Sequence, residues 1–167
     1  MSSNETYLFD DDGRFPNSRL PLLVYRGALP ADPGAMERAF AAHNWSNAWR
    51  NGIFTFHHFH STAHEVLGIA AGEVSVLFGG PSGSVVTVRA GDVVVVPAGV
   101  AHRNVGATDG LLVVGAYPNG VGYDTRRGDP AEHAAALRAV AAVPVPEQDP
   151  VRGGGGNPLP RLWGAVA

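Results

Sequence analysis

Chemistry is most legible in this chain at two histidines separated by one residue, His58 and His60. Side chains on a strand alternate between faces, so the pair points one way, together with Phe54 and Phe56. Two imidazoles side by side on an apolar face each need a polar partner once buried. A divalent metal ion supplies one, because neutral imidazole nitrogens bind such ions at about 2.0–2.1 Å and carboxylate oxygens at a similar distance. Glu65 lies across a short turn, 61–64, from His60, so it can begin the next strand and face the same centre. His102 stands just beyond the tight turn Pro97-Ala98-Gly99, at the start of another strand. The four side chains converge only if the sheet that carries them closes on itself.

The surrounding pattern suggests such closure independently. Short strand-like runs occupy 53–60, 65–71, 74–78, 84–88, 93–96 and 111–117, and each gap holds Gly, Pro, Asn or Ser. Regular short strands with turn residues between them predict an all-β sandwich or barrel. Before this core, residues 7–29 read as an extended arm, with Tyr7-Leu8-Phe9 and Leu22-Leu23-Val24-Tyr25 separated by the turn Asp10-Asp11-Asp12-Gly13. Asp32-Pro33 opens a helix whose apolar stripe is Met36 and Phe40, fading at His43-Asn44. Asp129-Pro130 opens a second helix over 131–140, and Pro144, Pro146 and Pro150 end it. The glycines at 153–156 read as a flexible linker, after which Leu159, Leu162 and Trp163 are apolar enough to dock back. One domain spanning 1–167 is expected, with a barrel core at about 50–118, the arm and first helix at 1–49, and the second helix and tail at 119–167.

Composition narrows the function. At 167 residues, 45% hydrophobic and 16% charged, the chain can bury a sizeable core, and its formal charge of −3 gives nucleic acid no basic face. The nearest approach to a basic cluster is Arg126-Arg127. Cysteine is absent, so any metal must be held by imidazole and carboxylate. Neither a secretory leader nor a membrane-length apolar run is seen, and a cytoplasmic protein without a membrane partner is the expectation.

The spacing also carries a family resemblance. Gly52, then His58-x-His60, Glu65 and Gly72 resemble the first cupin motif; Gly91, then Pro97-x-Gly99 and His102 resemble the second. The resemblance implies a double-stranded β-helix, a jelly-roll-like small barrel, in which three His and one Glu bind one divalent transition-metal ion. Gly72 and Gly99 are turn positions expected at positive φ. One position departs: the family's second motif usually ends in Asn four residues after its His, where this chain has Gly106, with Asn104 two residues earlier. That Asn is not a ligand, so the metal set of His58, His60, Glu65 and His102 stands. Leu20-Pro21-Leu22-Leu23-Val24-Tyr25, Trp49-Arg50-Asn51-Gly52-Ile53, His57 through Glu65 and Gly115-Ala116-Tyr117-Pro118 extend the resemblance to a group of small bacterial single-domain cupins with no established activity.

Three imidazoles and one carboxylate suit zinc, iron, manganese, nickel or copper, and affinity order alone does not choose among them. Open positions on such an ion would permit Lewis-acid chemistry or oxygen activation. An enzyme acting on a small organic acid, carbonyl or sugar-derived molecule is expected, of dioxygenase, isomerase or decarboxylase type. The alternative is a non-catalytic module that holds a small ligand on the metal. Arg50, Tyr117 and Tyr123 are candidates to line the substrate pocket, with Phe54 and Phe56 as its apolar wall or as core. A surface ion pair is the competing role for Arg50, and alternation turns Arg103 outward. His57 and His64 are read as solvated or hydrogen-bonded structural residues rather than ligands. Pairing of cupins through sheet edges implies a homodimer, to which the N-terminal arm could lend an exchanged strand.

Overall fold

The structure is a computed structural model that describes residues 4–155 and 157–166. Met1–Ser3 of the expected leaderless N-terminus and Gly156 of the expected linker lie outside the described residues. Among the described residues, nine strands form two antiparallel sheets: β1 (Asn4–Phe9), β2 (Ser18–Tyr25), β3 (Trp45–Asn51), β4 (Glu65–Ala71), β5 (Glu73–Phe78), β6 (Ser84–Arg89), β7 (Val93–Val96), β8 (His102–Ala107) and β9 (Leu112–Pro118). The larger sheet runs β1-β2-β7-β4-β9-β3 and the smaller runs β6-β5-β8. The all-β expectation is met, and the two sheets enclose an apolar core between them.

The valine-rich strands owe their places to burial on both faces. In β7, Val94 and Val96 join the core between the sheets, while Val93 and Val95 join a second cluster on the outer face. The same division holds along β2, with Leu22 and Val24 inside and Leu23 and Tyr25 outside. A sheet covered on both sides reads as a continuous apolar run rather than a strict alternation. Its outer cover comes from α1 (Pro33–Ala42), through Met36 and Phe40, and from the short C-terminal helix α3 (Pro158–Gly164), through Leu159 and Trp163. The tail therefore docks back as its composition implies. Asp32 caps α1 by accepting from the Ala35 N–H at 2.7 Å. A 3-10 turn (Pro130–Glu132) leads into α2 (His133–Ala142), which starts and ends two residues later than the sequence suggested.

Two differences from the expected strands bear on the site. Trp45–Asn51, which lacks a strand-like apolar pattern, is the edge strand β3, paired with β9. Residues 53–60, expected as a strand, form only isolated bridges, His58 with His102 and Phe59 with Arg126. The reason is geometric: this segment crosses the mouth of the barrel, so its backbone meets β8 on one side and the loop after β9 on the other without lying fully in either sheet. Alternation survives locally, which keeps His58 and His60 on one side. The expected arm is a hairpin within the same chain, with β1 antiparallel to β2. Gly72 (φ 77°) and Gly99 (φ 95°) take the positive φ expected of them; at Gly99 a Cβ would also collide with the Asn17 carbonyl oxygen.

Candidate metal centre

Local backbone pairing brings the three histidines together. The His58 N–H donates to the His102 carbonyl (3.2 Å) and the His102 N–H to that of His58 (2.9 Å), which sets their rings 4.1 Å apart by centroid. His60 follows two residues on, and one ring nitrogen from each of the three lies within 4.8 Å of the others. All three rings are buried. Glu65, the first residue of β4, brings Oε2 to 3.3 Å from His60 Nε2 and Oε1 to 3.4 Å from His102 Nε2. The structure thus groups the three sequence-derived histidines and sets Glu65, the fourth candidate, against two of them.

Main-chain oxygens decide which way each ring faces. Nδ1 of His58 lies 3.1 Å from the Phe56 carbonyl, Nδ1 of His102 lies 3.1 Å from that of Val100, and Nδ1 of His60 lies 2.6 Å from that of Asp124. A carbonyl only accepts, so each Nδ1 carries the proton and each Nε2 is left with a lone pair directed inward. Nε2 lone pairs and a carboxylate then face one another in a buried space. That donor set repels itself unless a cation or a proton sits among its members. It fits a divalent ion.

The proton affinities follow from the same crowding. Burial first, and then the neighbouring His102, press the His58 imidazole down to about 3. Burial would depress His60 as well, but the Glu65 charge and hydrogen bond outweigh it and raise its pKa. For Glu65 burial works upward, yet the charge of a protonated His60, and the hydrogen bonds that His102 and His60 donate once their Nε2 atoms carry a proton, hold the carboxyl well below its usual range. The Tyr117 hydroxyl donates to Glu65 Oε2 at 2.7 Å and accepts from Trp49 Nε1 at 2.8 Å. Burial, followed by the Glu65 charge, pushes the Tyr117 phenol upward, so it remains a donor.

A cavity of about 350 Å³ opens over this point, bounded by the four candidate ligands and by Trp49, Asn51, Ile53, Phe54, Leu67, Tyr117, Tyr123 and Thr125 among others. Trp49 reaches it because Gly115 on the paired strand has no side chain; a Cβ there would overlap the indole. Tyr117 and Tyr123, both expected near the pocket, stack at 4.1 Å. Phe54 lines the cavity at its mouth and is 54% exposed, so it is wall and not core. Phe56 does not line the cavity; it stacks on Phe54 at 4.8 Å and carries the Arg127 guanidinium on its ring at 3.8 Å. Arg50 is not brought to the cavity either. Its side chain forms a surface ion pair with Glu37 (2.7 Å), because its place on edge strand β3 turns it toward α1. His57 faces away from the centre and packs on Phe15 at 5.3 Å, its buried Nδ1 without a partner among the described residues.

Asp124 escaped sequence reasoning. Its carbonyl orients His60, and its carboxylate accepts from the Ser61 N–H (2.6 Å), the Ser61 hydroxyl and the Thr62 N–H (3.2 Å). Arg126 Nε closes the group at 2.9 Å from Asp124 Oδ2. Asp124 lies in a loop 64 residues from His60, and no spacing in the chain links the two. Trp49 and Gly115 stood in stretches that carried the family resemblance, but nothing in their residue types placed an indole beside the centre. Asn104, at the departure from the second motif, turns its Oδ1 to the Gly106 N–H (2.8 Å), away from the ligands.

Residues 38–114 match the Cupin domain family. A protein of Bacillus subtilis (strain 168), "Uncharacterized protein YjlB", is 42% identical over 160 residues, covering 95% of this chain and 96% of the relative. The chain belongs to the cupin family. Among solved structures, procruciferin, an 11S globulin from Brassica napus, is 14% identical with a TM-score of 0.39, covering 65% of this chain and 23% of its own. Protein NMB1881 from Neisseria meningitidis is 18% identical with a TM-score of 0.36, over 70% of this chain and 83% of its own. No helix among the described residues of this cupin is long and apolar enough to cross a membrane.

Proposed function

We propose that His58, His60, Glu65 and His102 hold one divalent transition-metal ion, and that the protein is a metal-dependent enzyme acting on a small organic molecule bound in the adjoining cavity. The observation that carries this is the commitment of all three Nδ1 atoms to main-chain carbonyls, which leaves three Nε2 lone pairs converging beside one carboxylate. Zinc, iron, manganese and nickel all suit the donor set. When bound, such an ion supplies Lewis-acid polarisation or, if iron, oxygen activation. The chain's own residues do the rest. Glu65 offsets half of the ion's charge, Tyr117 holds that carboxylate in place, and Leu67 and the aromatic walls exclude water from the substrate's flank. The substrate classes proposed are small organic acids, carbonyls and sugar-derived molecules, with dioxygenation, isomerisation or decarboxylation as the reaction.

Elemental analysis of the purified protein tests the site, with about one ion per chain expected. The double variant His58→Ala/His60→Ala should bind none, and stoichiometric metal in that variant would sink the proposal. Bound iron with oxygen uptake would select dioxygenation; zinc or nickel without it would select isomerase or lyase chemistry. Pairing of two copies through a sheet edge is proposed alongside, and a monomeric mass by light scattering at micromolar concentration would remove it.

A further inference from the structure

The basic side chains are arranged so that none faces the centre. All twelve are arginine, and none lines the cavity. Arg50 is held by Glu37, Arg126 closes on Asp124 and Glu132, and Arg127 lies on the outer ring of the Phe54–Phe56 stack. With neutral imidazoles, a divalent ion and the Glu65 carboxylate sum to a single positive charge. One anionic group on a ligand cancels it. A second would lie in the cavity beside Glu65 without a counter-charge, which is costly at a partly desolvated site.

The walls are flat and apolar. Trp49, Ile53, Phe54, Leu67, Tyr117 and Tyr123 supply them, while Asn51 and Thr125 are uncharged. A cavity of about 350 Å³ suits one ring with a short head group, since about 150 Å³ already holds benzene.

We infer that this centre, given the metal site proposed above, takes a small molecule with a single metal-binding head of at most one negative charge on an aromatic or similarly apolar ring. Dianionic acids and phosphorylated sugars are excluded. Of the three substrate classes, this leaves ring-bearing carbonyls and monoacids.

Calorimetric titration of the zinc-loaded protein with four hydroxamates tests this, the zinc content being measured before and after. Benzohydroxamate should bind at least about ten-fold tighter than acetohydroxamate, which has the same head without the ring. The neutral 4-carbamoylbenzohydroxamate should bind at least about ten-fold tighter than the near-isosteric 4-carboxybenzohydroxamate, which adds one charge. Phe54→Ala and Tyr123→Ala should shrink the ring preference to below about three-fold with one zinc retained. Both residues are largely exposed (54% and 42%), so the core is left intact. Equal binding of the first pair, or tighter binding of the carboxylate in the second, would overturn the inference while leaving the metal site standing. A protein that takes up no zinc would overturn both.

Discussion

His60 and His64 are both buried and stand either side of one short turn, yet their rings are put to opposite uses. His64 has both nitrogens occupied: Nδ1 accepts from the Ala98 N–H at 2.8 Å, and Nε2 donates to the Pro144 carbonyl at 3.1 Å. Its ring rests against Trp163 at 4.7 Å, and burial presses its pKa down to about 4. Nothing on it is left for a ligand. His60 has one nitrogen occupied, by the Asp124 carbonyl, and its other faces a carboxylate and a cavity. Burial of an imidazole therefore says little about function. What matters is which nitrogen is left over, and whether a negative charge waits beside it.

Substitutions at the two positions should separate these roles, and metal affinity ranks the outcomes. His60→Ala is expected to lose bound metal altogether at micromolar protein, as read by elemental analysis after dialysis. A chelator should accordingly lower the midpoint of thermal unfolding of the native protein and leave that of His60→Ala unmoved. An ion at a free concentration 100 times its Kd stabilises the native state by about 2.7 kcal/mol. Asp124→Ala keeps every ligand but frees the loop whose carbonyl orients His60. Competition with a chromogenic chelator should show affinity reduced by roughly 10–100-fold, and unchanged affinity would mean that the loop does not orient the ring. Tyr117→Phe removes the donor to Glu65 and strands the Trp49 N–H. A metal-affinity loss below about ten-fold is expected, with about 1–2 kcal/mol lost from the urea unfolding free energy of the metal-free protein. His64→Ala sits last on the metal scale, with stoichiometry unchanged. It should nonetheless cost about 2–4 kcal/mol of stability in the same urea experiment, because the buried Ala98 N–H loses its partner and the missing ring leaves a cavity against Trp163. Metal loss in His64→Ala would erase the distinction between the two histidines.

Much of the fold could be read from the chain because strand periodicity and turn chemistry are local. The runs at 65–71, 84–88 and 93–96 emerged as β4, β6 and β7 within a residue or so, and Asp32-Pro33 opened α1 where capping rules put it. The failures came where pairing overrode pattern. Trp45–Asn51 is a strand because β9 offers it an edge, and not because of its own alternation. Residues 53–60 look like a strand and are mostly not one, since they bridge two elements at the barrel mouth. The pocket candidates divided for a similar reason: Tyr117 and Tyr123 reached the cavity, whereas Arg50 was drawn to Glu37 on a neighbouring helix.

By itself, the sequence determined the donor types and their spacing: two imidazoles two residues apart on one face, a carboxylate after the next turn, and a third imidazole after a Pro-x-Gly turn. Those features depend only on backbone periodicity and on turn positions that require glycine. Tertiary structure alone decided what lies around them. It set the Asp124 carbonyl on His60, the Tyr117 hydroxyl on Glu65, and an aromatic cavity without a cation above them. Each of these joins residues more than 50 positions apart, and only closure of the two sheets brings such groups within hydrogen-bonding distance.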